Sequence, residues 1–317
     1  MGKIFIGGNA LSKVYAGSSE VSKIIYNGAT VYETERAYYL KFSSPSSFTL
    51  KTYNTSKNWD GIIQYSTDDD TWTTWNGSEI SAASDGTNYV LLLRGTGNSY
   101  ITGSTTTSGR FVFTGSDISC NGNIETLLDY EQVMLGTHPV MAVQAYIDMF
   151  RDCTNLVTAP DLPATTLTNS CYYEMFRGCT SLATAPALPA TTLYNASYRA
   201  MFLGCTSLVS APEISAASLH EGCCLAMFYG CTNLETLPRL SATTLTNNCY
   251  KSMFQGCTKI KLSTTQSTEY PNAYTIPSQG TGTTATDALT DMFTGTGGSF
   301  TGALAINTTY YTSNTIV

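Results

Sequence analysis

Apolar residues recur along the second half of the chain with a strict period of 26 residues. Five phenylalanines set this period, each preceded by Met and followed three positions later by Cys: Phe150, Phe176, Phe202, Phe228 and Phe254. Three Leu-rich columns keep the same phase and begin at Leu156, Leu162 and Leu167. Such spacing is typical of units that bury their apolar sides only against their neighbours, so it predicts a leucine-rich-repeat-like solenoid of 26-residue rungs.

A column of prolines indicates how each repeat turns: Pro160, Pro186, Pro212 and Pro238. Because Pro lacks a backbone donor, it should lie at a corner where a strand ends. We therefore predict a short extended piece within residues 156–162 and its equivalents. One helical turn near the Cys-Tyr-x-x-Met-Phe segment should close each repeat.

The repeats need caps at both ends. After Cys257 the pattern changes, and Met-Phe returns at Met292 and Phe293, 39 residues after the previous pair. We interpret residues 263–286 as a loop on an atypical last repeat, and residues 301–317 as one or two closing strands, which together make a C-terminal cap over 263–317. An N-terminal cap over 124–148 is predicted from its apolar residues: Leu127, Leu128, Tyr130, Val133, Met134 and Leu135.

The pattern of residues changes near Glu35 and near Ile124, which predicts two further domains before the repeats. Residues 36–123 contain six short strand-like runs separated by polar turns, which favours a β-sandwich. The runs are 38–42, 47–53, 61–66, 71–75, 89–94 and 110–114. Residues 1–35 carry a smaller repeat of alternating strands that end in Gly, typical of a meander of β-hairpins. This unit is either an attachment module or a β-extension of the middle domain.

Charge and composition restrict the function. Charged residues make up 12% of the chain and the net charge is −7, so clustered Lys and Arg for nucleic acid are absent from the sequence. No apolar run predicts a membrane-spanning helix or a secretory leader. Low charge with many Ser, Thr, Gly and Asn residues is typical of extracellular or virion β-proteins. We expect no cofactor.

The ten cysteines fall mostly into two columns. Cys153, Cys179, Cys205, Cys231 and Cys257 form one, and Cys171, Cys223 and Cys249 form the other. Three interpretations of these columns remain: buried free thiols, disulfides between adjacent repeats, and a zinc site. The sequence has no C-x-x-C spacing to support the zinc site.

Two features of the middle segment carry alternative interpretations. Asp68 to Asp70 resemble an Asp-box hairpin, which either binds Ca²⁺ or is a solvated turn. Trp59, Trp72 and Trp75 either stack on sugar or pack in the core.

Catalytic signatures are lacking, so we expect no enzyme. There are two histidines, His138 and His220, and His220 occupies a variable phase that indicates a surface residue. Nucleophile-elbow, zincin, Walker and Rossmann motifs do not occur.

The repeat Met-Phe-x-Gly-Cys-Thr-x-Leu, followed by Ala-Pro-x-Leu-Pro-Ala-Thr-Thr-Leu, resembles the BspA-like leucine-rich repeat proteins of gut bacteria and their phages. The hairpin from Tyr65 to Trp72 and the junction from Gly122 to Leu128 are similar to segments of that family. The Val-Tyr-x-Gly units resemble N-terminal modules of phage tail and fibre proteins. The resemblance implies attachment to other virion proteins through Tyr15, Gly17, Tyr26 and Gly28.

Columns that vary between the copies predict exposed positions. Five residues at these positions carry the aromatic or guanidinium groups that are enriched at interfaces: Arg177, Tyr194, Arg199, Tyr229 and Arg239. This face is either a binding site for a host-surface glycan or protein, or ordinary solvated surface. The resemblance implies a phage virion fibre protein of the tail or head, assembled in the host cytoplasm as a homo-oligomer such as a trimer. A bacterial surface adhesin and a decoration protein without a receptor are the alternatives.

Overall fold

The computed structural model describes residues 38–103, 109–276 and 285–317, together with six strands within the first 33 residues. The protein is mainly β, and one α-helix occurs in the described ranges. The chain divides into two compact units, Met1–Tyr38 and Tyr39–Val317.

The first unit contains three antiparallel two-stranded pairs. Their strands are β1 (Phe5–Ile6), β2 (Asn9–Ala10), β3 (Tyr15–Ala16), β4 (Ser19–Glu20), β5 (Lys23–Tyr26) and β6 (Ala29–Glu33). The hairpins predicted from the Gly-terminated runs are therefore confirmed. Pairing between successive hairpins, which a meander implies, does not occur among these six strands.

The second unit begins with two sheets. Their strands are β7 (Leu40–Ser44), β8 (Thr49–Thr52), β9 (Ile62–Ser66), β10 (Thr73–Thr74), β11 (Ile80–Ser81), β12 (Ala83–Ser84), β13 (Tyr89–Thr96), β14 (Phe111–Phe113) and β15 (Ile118–Asn121). One sheet has the order β10-β9-β13-β7-β15 and takes β12 along β13; the other has the order β11-β8-β14. All six runs predicted for this segment overlap a strand, although β7 and β13 extend two residues beyond their runs, and β11, β12 and β15 were not predicted.

The two sheets pack through aromatic side chains. Phe42 of β7 contacts Phe113 of β14, with ring centroids 5.2 Å apart. Trp59 and Trp75 are buried and stack on each other at 5.1 Å. Core packing is therefore the correct interpretation for these two tryptophans. Trp72 instead lies partly exposed under the guanidinium of Arg94, 3.9 Å from its ring centroid.

Helix α1 (Thr126–Met134) follows the sheets. Leu127 and Leu128 in its first turn are fully buried, whereas Met134 and Leu135 are 40% and 77% exposed. The predicted apolar cap over 124–148 is wrong for these later residues, because only the first turn of the helix faces the core. Aromatic residues of the sheets cover the first repeat instead: Phe111 meets Phe150 edge-on at 5.9 Å.

The repeat phenylalanines form one column, as the spacing predicts. Successive rings from Phe150 to Phe254 stack nearly parallel, with centroids 5.5 to 5.6 Å apart. Phe293 stacks on Phe254 at 5.2 Å, so the repeat resumes after the 39-residue interval. We number the repeats one to six by these phenylalanines. A tyrosine column runs beside them, with Tyr172 stacked between Tyr146 and Tyr198.

The segment around each Phe is a chain of tight turns rather than the predicted helical turn. We call it the turn segment; in repeat 2 it spans residues 168–179. Every fourth residue has positive φ, as in Ser170 (55°), Glu174 (52°) and Gly178 (72°). An α-helix cannot continue through such residues, and Gly recurs at the last of these positions because it adopts the left-handed region without penalty.

Alternate amides of each turn segment bond to different partners. One set closes turns within the repeat, as when the N–H of Met175 donates to the carbonyl of Tyr172. The other set crosses to the next repeat, as when Phe176 donates to Met201 at 2.9 Å. Each of the five junctions carries five such crossing bonds of 2.7–3.1 Å. The backbone therefore fixes the spacing and register of the repeats.

Extended structure elsewhere in the repeats is short. The strands are β16 (Leu156–Thr158), β17 (Thr192–Leu193), β18 (Ser218–Leu219) and β19 (Thr236–Leu237). β16 pairs in parallel with β15 and so joins the stack to the larger sheet, and β17 pairs in parallel with β18. β16 and β19 lie in the predicted segment and end shortly before Pro160 and Pro238. The prediction is wrong for repeats 2 and 3, where the equivalent segments form only isolated bridges and the strands β17 and β18 come after the prolines.

The C-terminal end contains β20 (Lys261–Ser263), β21 (Asn272–Thr275), β22 (Gly297–Gly298), β23 (Thr309–Thr312) and β24 (Thr315–Ile316). β23 and β24 confirm the closing strands, and β24 pairs with β19. The loop predicted over 263–286 is wrong at β21, which pairs antiparallel with β23 through four residues. Tyr274 on this strand is buried and meets Phe293 edge-on at 5.9 Å.

Candidate binding face on the repeat stack

Three side chains in each turn segment are directed away from the core at the same phases in successive repeats. They lie seven and three residues before the Phe and one residue after it. We call their ensemble in repeats 2 to 5 the turn face. Its members are all half-buried or exposed: Asn169, Tyr173, Arg177, Asn195, Arg199, Leu203, Glu221, Leu225, Tyr229, Asn247, Lys251 and Gln255. Because the crossing bonds fix the backbone, these side chains form three fixed rows.

Three of the five predicted site residues lie on the turn face. Arg177, Arg199 and Tyr229 lie on the turn face, and Tyr194 directly precedes its first row. Arg239 lies elsewhere: it follows β19, and its backbone N–H donates to the carbonyl of Val317. Among the described residues, no hydrogen bond, ion pair or ring contact joins two of the five: Arg199 pairs with Tyr173, Tyr194 with His220 and Arg177 with Glu174.

Arg199 and Tyr173 are adjacent members of one row. The guanidinium of Arg199 lies 5.5 Å from the ring centroid of Tyr173 in the preceding repeat, within the range of a cation–π interaction. Arg199 is exposed and Tyr173 half-buried. The pair presents a planar cation and a phenol at one point of the face, a combination suited to polar ligands with an apolar side.

Glu174 organises the basic end of the face. Its carboxylate, 9% exposed, accepts hydrogen bonds of 2.9 Å from both Arg151 and Arg177. Arg151 also contacts Asp148 at 3.3 Å. Burial raises the pKa of Asp148, an effect that Arg151 opposes and Glu174 reinforces. Arg177 is therefore held in place by a buried acid and presents its guanidinium at a fixed position.

An aromatic pair lies beside the turn face, and the sequence analysis did not predict that its two residues are in contact. Tyr194 and His220 occupy the same phase in repeats 3 and 4, and their rings stack at 5.1 Å with a tilt of 17°. Tyr194 is 36% exposed, and His220 is exposed, as its variable phase predicts. This contact could have been predicted from the sequence, because Tyr194 and His220 are 26 residues apart and residues at one phase lie next to each other in the stack.

The cysteines lie inside the stack and leave the face free of thiol chemistry. All ten are buried free thiols. In the first column each thiol donates to the carbonyl of a Phe, as in Cys205 to Phe176 at 3.1 Å and Cys231 to Phe202 at 3.0 Å. Burial raises the pKa of Cys205 to about 12. These groups therefore stay protonated and act as small apolar side chains with one donor.

Other candidate sites are placed as follows. Asp68 lies in the turn between β9 and β10, and its carboxylate accepts hydrogen bonds from Ser66, Asp70 and Thr71. Those bonds, led by the one from Thr71, lower the pKa of Asp68. Tyr15 and Tyr26 lie in β3 and β5, while Gly17 and Gly28 lie outside the described residues.

An acid–imidazole contact lies beside the first repeat. His138 Nδ1 lies 2.7 Å from Glu125 Oε2, and burial raises the pKa of Glu125. Within the described ranges, no cluster of three or more His, Cys, Asp or Glu side chains is arranged for a metal. No helix within these ranges has the length and the apolar character needed to cross a membrane.

No protein-family model, curated protein or solved structure matches this chain.

Proposed function

We propose that this protein is a non-enzymatic binding protein of a phage virion, a fibre of the tail or head that recognises a host surface through its turn face. In this proposal the repeats form a leucine-rich-repeat-like solenoid, the two sheets a β-sandwich spacer, and residues 1–35 an attachment module. The resemblance of the repeat blocks to BspA-like proteins, and of the first residues to phage fibre modules, supports the virion assignment.

One observation carries the binding role: a rigid backbone displays rows of side chains that differ from repeat to repeat. Twenty-five crossing bonds and a continuous Phe column fix the rows, while their members change among Tyr, Arg, Leu and Lys. Preorganised side chains lose little conformational entropy on binding, which favours affinity. Arg and Tyr are the residue types most enriched where binding energy concentrates.

A host-surface glycan is the ligand that the geometry favours. Exposed aromatic rings offer apolar surface on which a sugar ring can pack, and Tyr194 and His220 place two such rings side by side, with centroids 5.1 Å apart. Arg177 and Arg199 lie on the same side of the stack and can donate to hydroxyl or acidic groups. A host protein receptor would use the same residues, so binding to isolated polysaccharide separates the two.

The test uses fluorescently labelled protein on a panel of gut-bacterial cells and on polysaccharide extracted from them. We expect saturable binding to some strains, weakened about tenfold or more by Tyr194→Ala or Arg199→Ala. Val209→Ala is the matched control, since Val209 is 41% exposed but lies outside the turn face. Unchanged binding of both variants would exclude the turn face and the Tyr194–His220 pair beside it as the receptor site.

Mass spectrometry of purified phage particles tests the virion assignment separately. The expected result is this chain among the structural proteins. Its absence from particles, combined with its presence on bacterial surfaces, would favour the adhesin alternative. Presence in particles without any cell binding would favour a decoration protein.

A further inference from the structure

A cavity of about 240 Å³ lies beside the first repeats. Residues 138–141, which follow helix α1, line one wall, and residues 164–166 with Thr168 line the other. Sites for drug-sized ligands occupy about 300–1,000 Å³, so this cavity has room for a single small unit. We call it the His138 cavity.

Glu125 and His138 supply its main polar group. Glu125 is 2% exposed, whereas 55% of the His138 side chain is exposed. A carboxylate can only accept, so Nδ1 of His138 carries the proton in the 2.7 Å contact with Oε2 of Glu125. The buried acid therefore fixes the orientation of the imidazole and leaves its Nε2 for a ligand.

The walls of the cavity combine hydroxyl and apolar groups. Thr165 and Thr166 are exposed, and their hydroxyls can both donate and accept hydrogen bonds. Pro139 and Ala164 are buried, and the half-buried Met141 adds a flexible apolar side chain. The complementary ligand therefore has hydroxyl groups along one edge and an apolar side.

A neutral sugar unit meets these requirements better than an ion does. The carboxylate of Glu125 is buried and bonded to His138, so it is not accessible to a cation. The same carboxylate offsets the positive charge of a protonated imidazole, which disfavours an anion. A pyranose unit carries hydroxyls around its edge and C–H groups on its faces, and so matches both kinds of wall.

The cavity leads directly to the aromatic pair beside the turn face. Thr168, on its wall, occupies in repeat 2 the phase that Tyr194 and His220 occupy in repeats 3 and 4. His220 stacks on one face of Tyr194, and the other face is directed toward the smaller Thr168. The N–H of Ser170 donates to the carbonyl of Asn195 at 2.9 Å and fixes the two repeats side by side. A second sugar unit can therefore pack on Tyr194 while the first fills the cavity.

Main-chain groups along this edge are already bonded within the stack. The carbonyl of Tyr194 accepts from the N–H of Ser197 at 3.1 Å, and the N–H of His220 donates to the carbonyl of Leu193 at 2.9 Å. A peptide that adds to an edge as a strand needs such groups free. Recognition here falls to side chains and rings, which favours a glycan over a peptide strand, including one from a second copy of this chain.

We propose that the His138 cavity binds one neutral sugar unit of the host glycan and that the next unit packs on the free face of Tyr194. This inference rests on the glycan-binding role proposed above and adds a contact outside the turn face. In this arrangement the cavity selects the sugar by its hydroxyls, and the aromatic pair adds apolar contact area.

Thr166→Trp tests the cavity, because an indole at this exposed position fills the space without disturbing the core. Thr244→Trp is the matched control, since Thr244 holds the same phase in repeat 5, is also exposed and lies outside the cavity. The probe is immobilised polysaccharide from a bacterial strain that the protein binds. We expect Thr166→Trp and His138→Ala to weaken binding about tenfold or more, and Thr244→Trp to bind as the wild type does.

The two histidines of the sequence, His138 and His220, allow a direct measurement by NMR. Their imidazole signals are assigned with His138→Ala. The second probe is the complete acid hydrolysate of the same polysaccharide, which supplies its monosaccharides. At saturation we expect the signals of His138 to shift and those of His220 to stay, because one sugar unit fills the cavity without reaching His220.

Each contrary outcome identifies which claim fails. Equal binding by Thr166→Trp and Thr244→Trp, or unshifted His138 signals, overturns the cavity proposal; if Tyr194→Ala still weakens binding, the glycan-binding role stands without it. Cell binding without any binding of the wild type to polysaccharide overturns both claims and assigns recognition to a host protein.

Discussion

Phe202→Ala is expected to destabilise the protein by about 3–5 kcal/mol, the range found when a fully buried Phe is truncated. Phe202 is 0% exposed and stacks on Phe176 at 5.5 Å and on Phe228 at 5.6 Å. Because the crossing bonds hold the two neighbouring repeats at a fixed distance, they cannot close the cavity that the substitution leaves. Denaturant unfolding followed by near-ultraviolet circular dichroism measures the loss.

Two variants calibrate this result. Phe202→Leu keeps most of the volume and should cost less than half as much. Phe293→Ala removes the last ring of the column, which has a repeat on one side only, and should also cost less. A loss below about 1 kcal/mol for Phe202→Ala would mean that the Phe column contributes little to the stability of the stack.

Ala200→Pro is expected to cost about 3 kcal/mol or more, and Ala200→Gly less than about 1 kcal/mol. Ala200 has φ of 51°, and its N–H donates to the carbonyl of Leu225 at 2.8 Å. Proline cannot adopt positive φ and has no N–H, so it removes one crossing bond and distorts the turn. Glycine keeps the bond and relieves the strained φ, which offsets the loss of one buried methyl group.

Thermal unfolding of the two variants is measured in parallel. Both replace the buried Ala200, so the glycine variant reports the effect of losing the methyl group, and the difference between the two reports the effect of the backbone change. A helical turn at this site would also make proline the worse substitution, but glycine would then cost about 1 kcal/mol, so a glycine variant close to wild-type stability is the result that distinguishes the turn from a helix. Equal unfolding temperatures for the proline and glycine variants would contradict the turn segment and its crossing bonds.

The period of 26 residues was enough to predict the stacking of the phenylalanines. A side chain at a fixed phase in identical units must meet its equivalent, and Phe176, Phe202 and Phe228 do so. The resumption of the column at Phe293 followed from the same rule. The hairpin across Asp68 and six of the nine strands β7–β15 were predicted for a local reason, since alternation and turn residues are encoded within a few positions.

The turn segments were not predictable from apolar spacing. Cys171, Tyr172, Met175, Phe176 and Cys179 recur at intervals of three and four, the pattern of an amphipathic helix. What decides against a helix is that the backbone amides find carbonyls in the neighbouring repeat. Gly178 and its equivalents hinted at positive φ, but Glu174 and Ala200 adopt it without any such signal.

The sequence predicted only part of the candidate face. Variation between copies identified exposed phases correctly for Arg199 and Tyr229, yet it could not tell on which side of the repeat a phase lies. Arg239 is exposed as expected but follows β19, away from the turn segments. The stacking of Tyr194 on His220, and of Arg199 over Tyr173, depends on the rise per repeat, which only the structure supplies.

Two deletions test the central claim, that equal 26-residue units stack in register on one Phe column. Removal of residues 190–215 takes out one whole period and joins Pro189 to Ala216, which occupies the phase of Ala190. Removal of residues 190–202 takes out half as many residues but shifts the phase of all later repeats. We expect the longer deletion to retain one cooperative thermal transition by near-ultraviolet circular dichroism and the shorter one to lose it. Equal damage from both deletions, or greater damage from the longer one, would contradict the account.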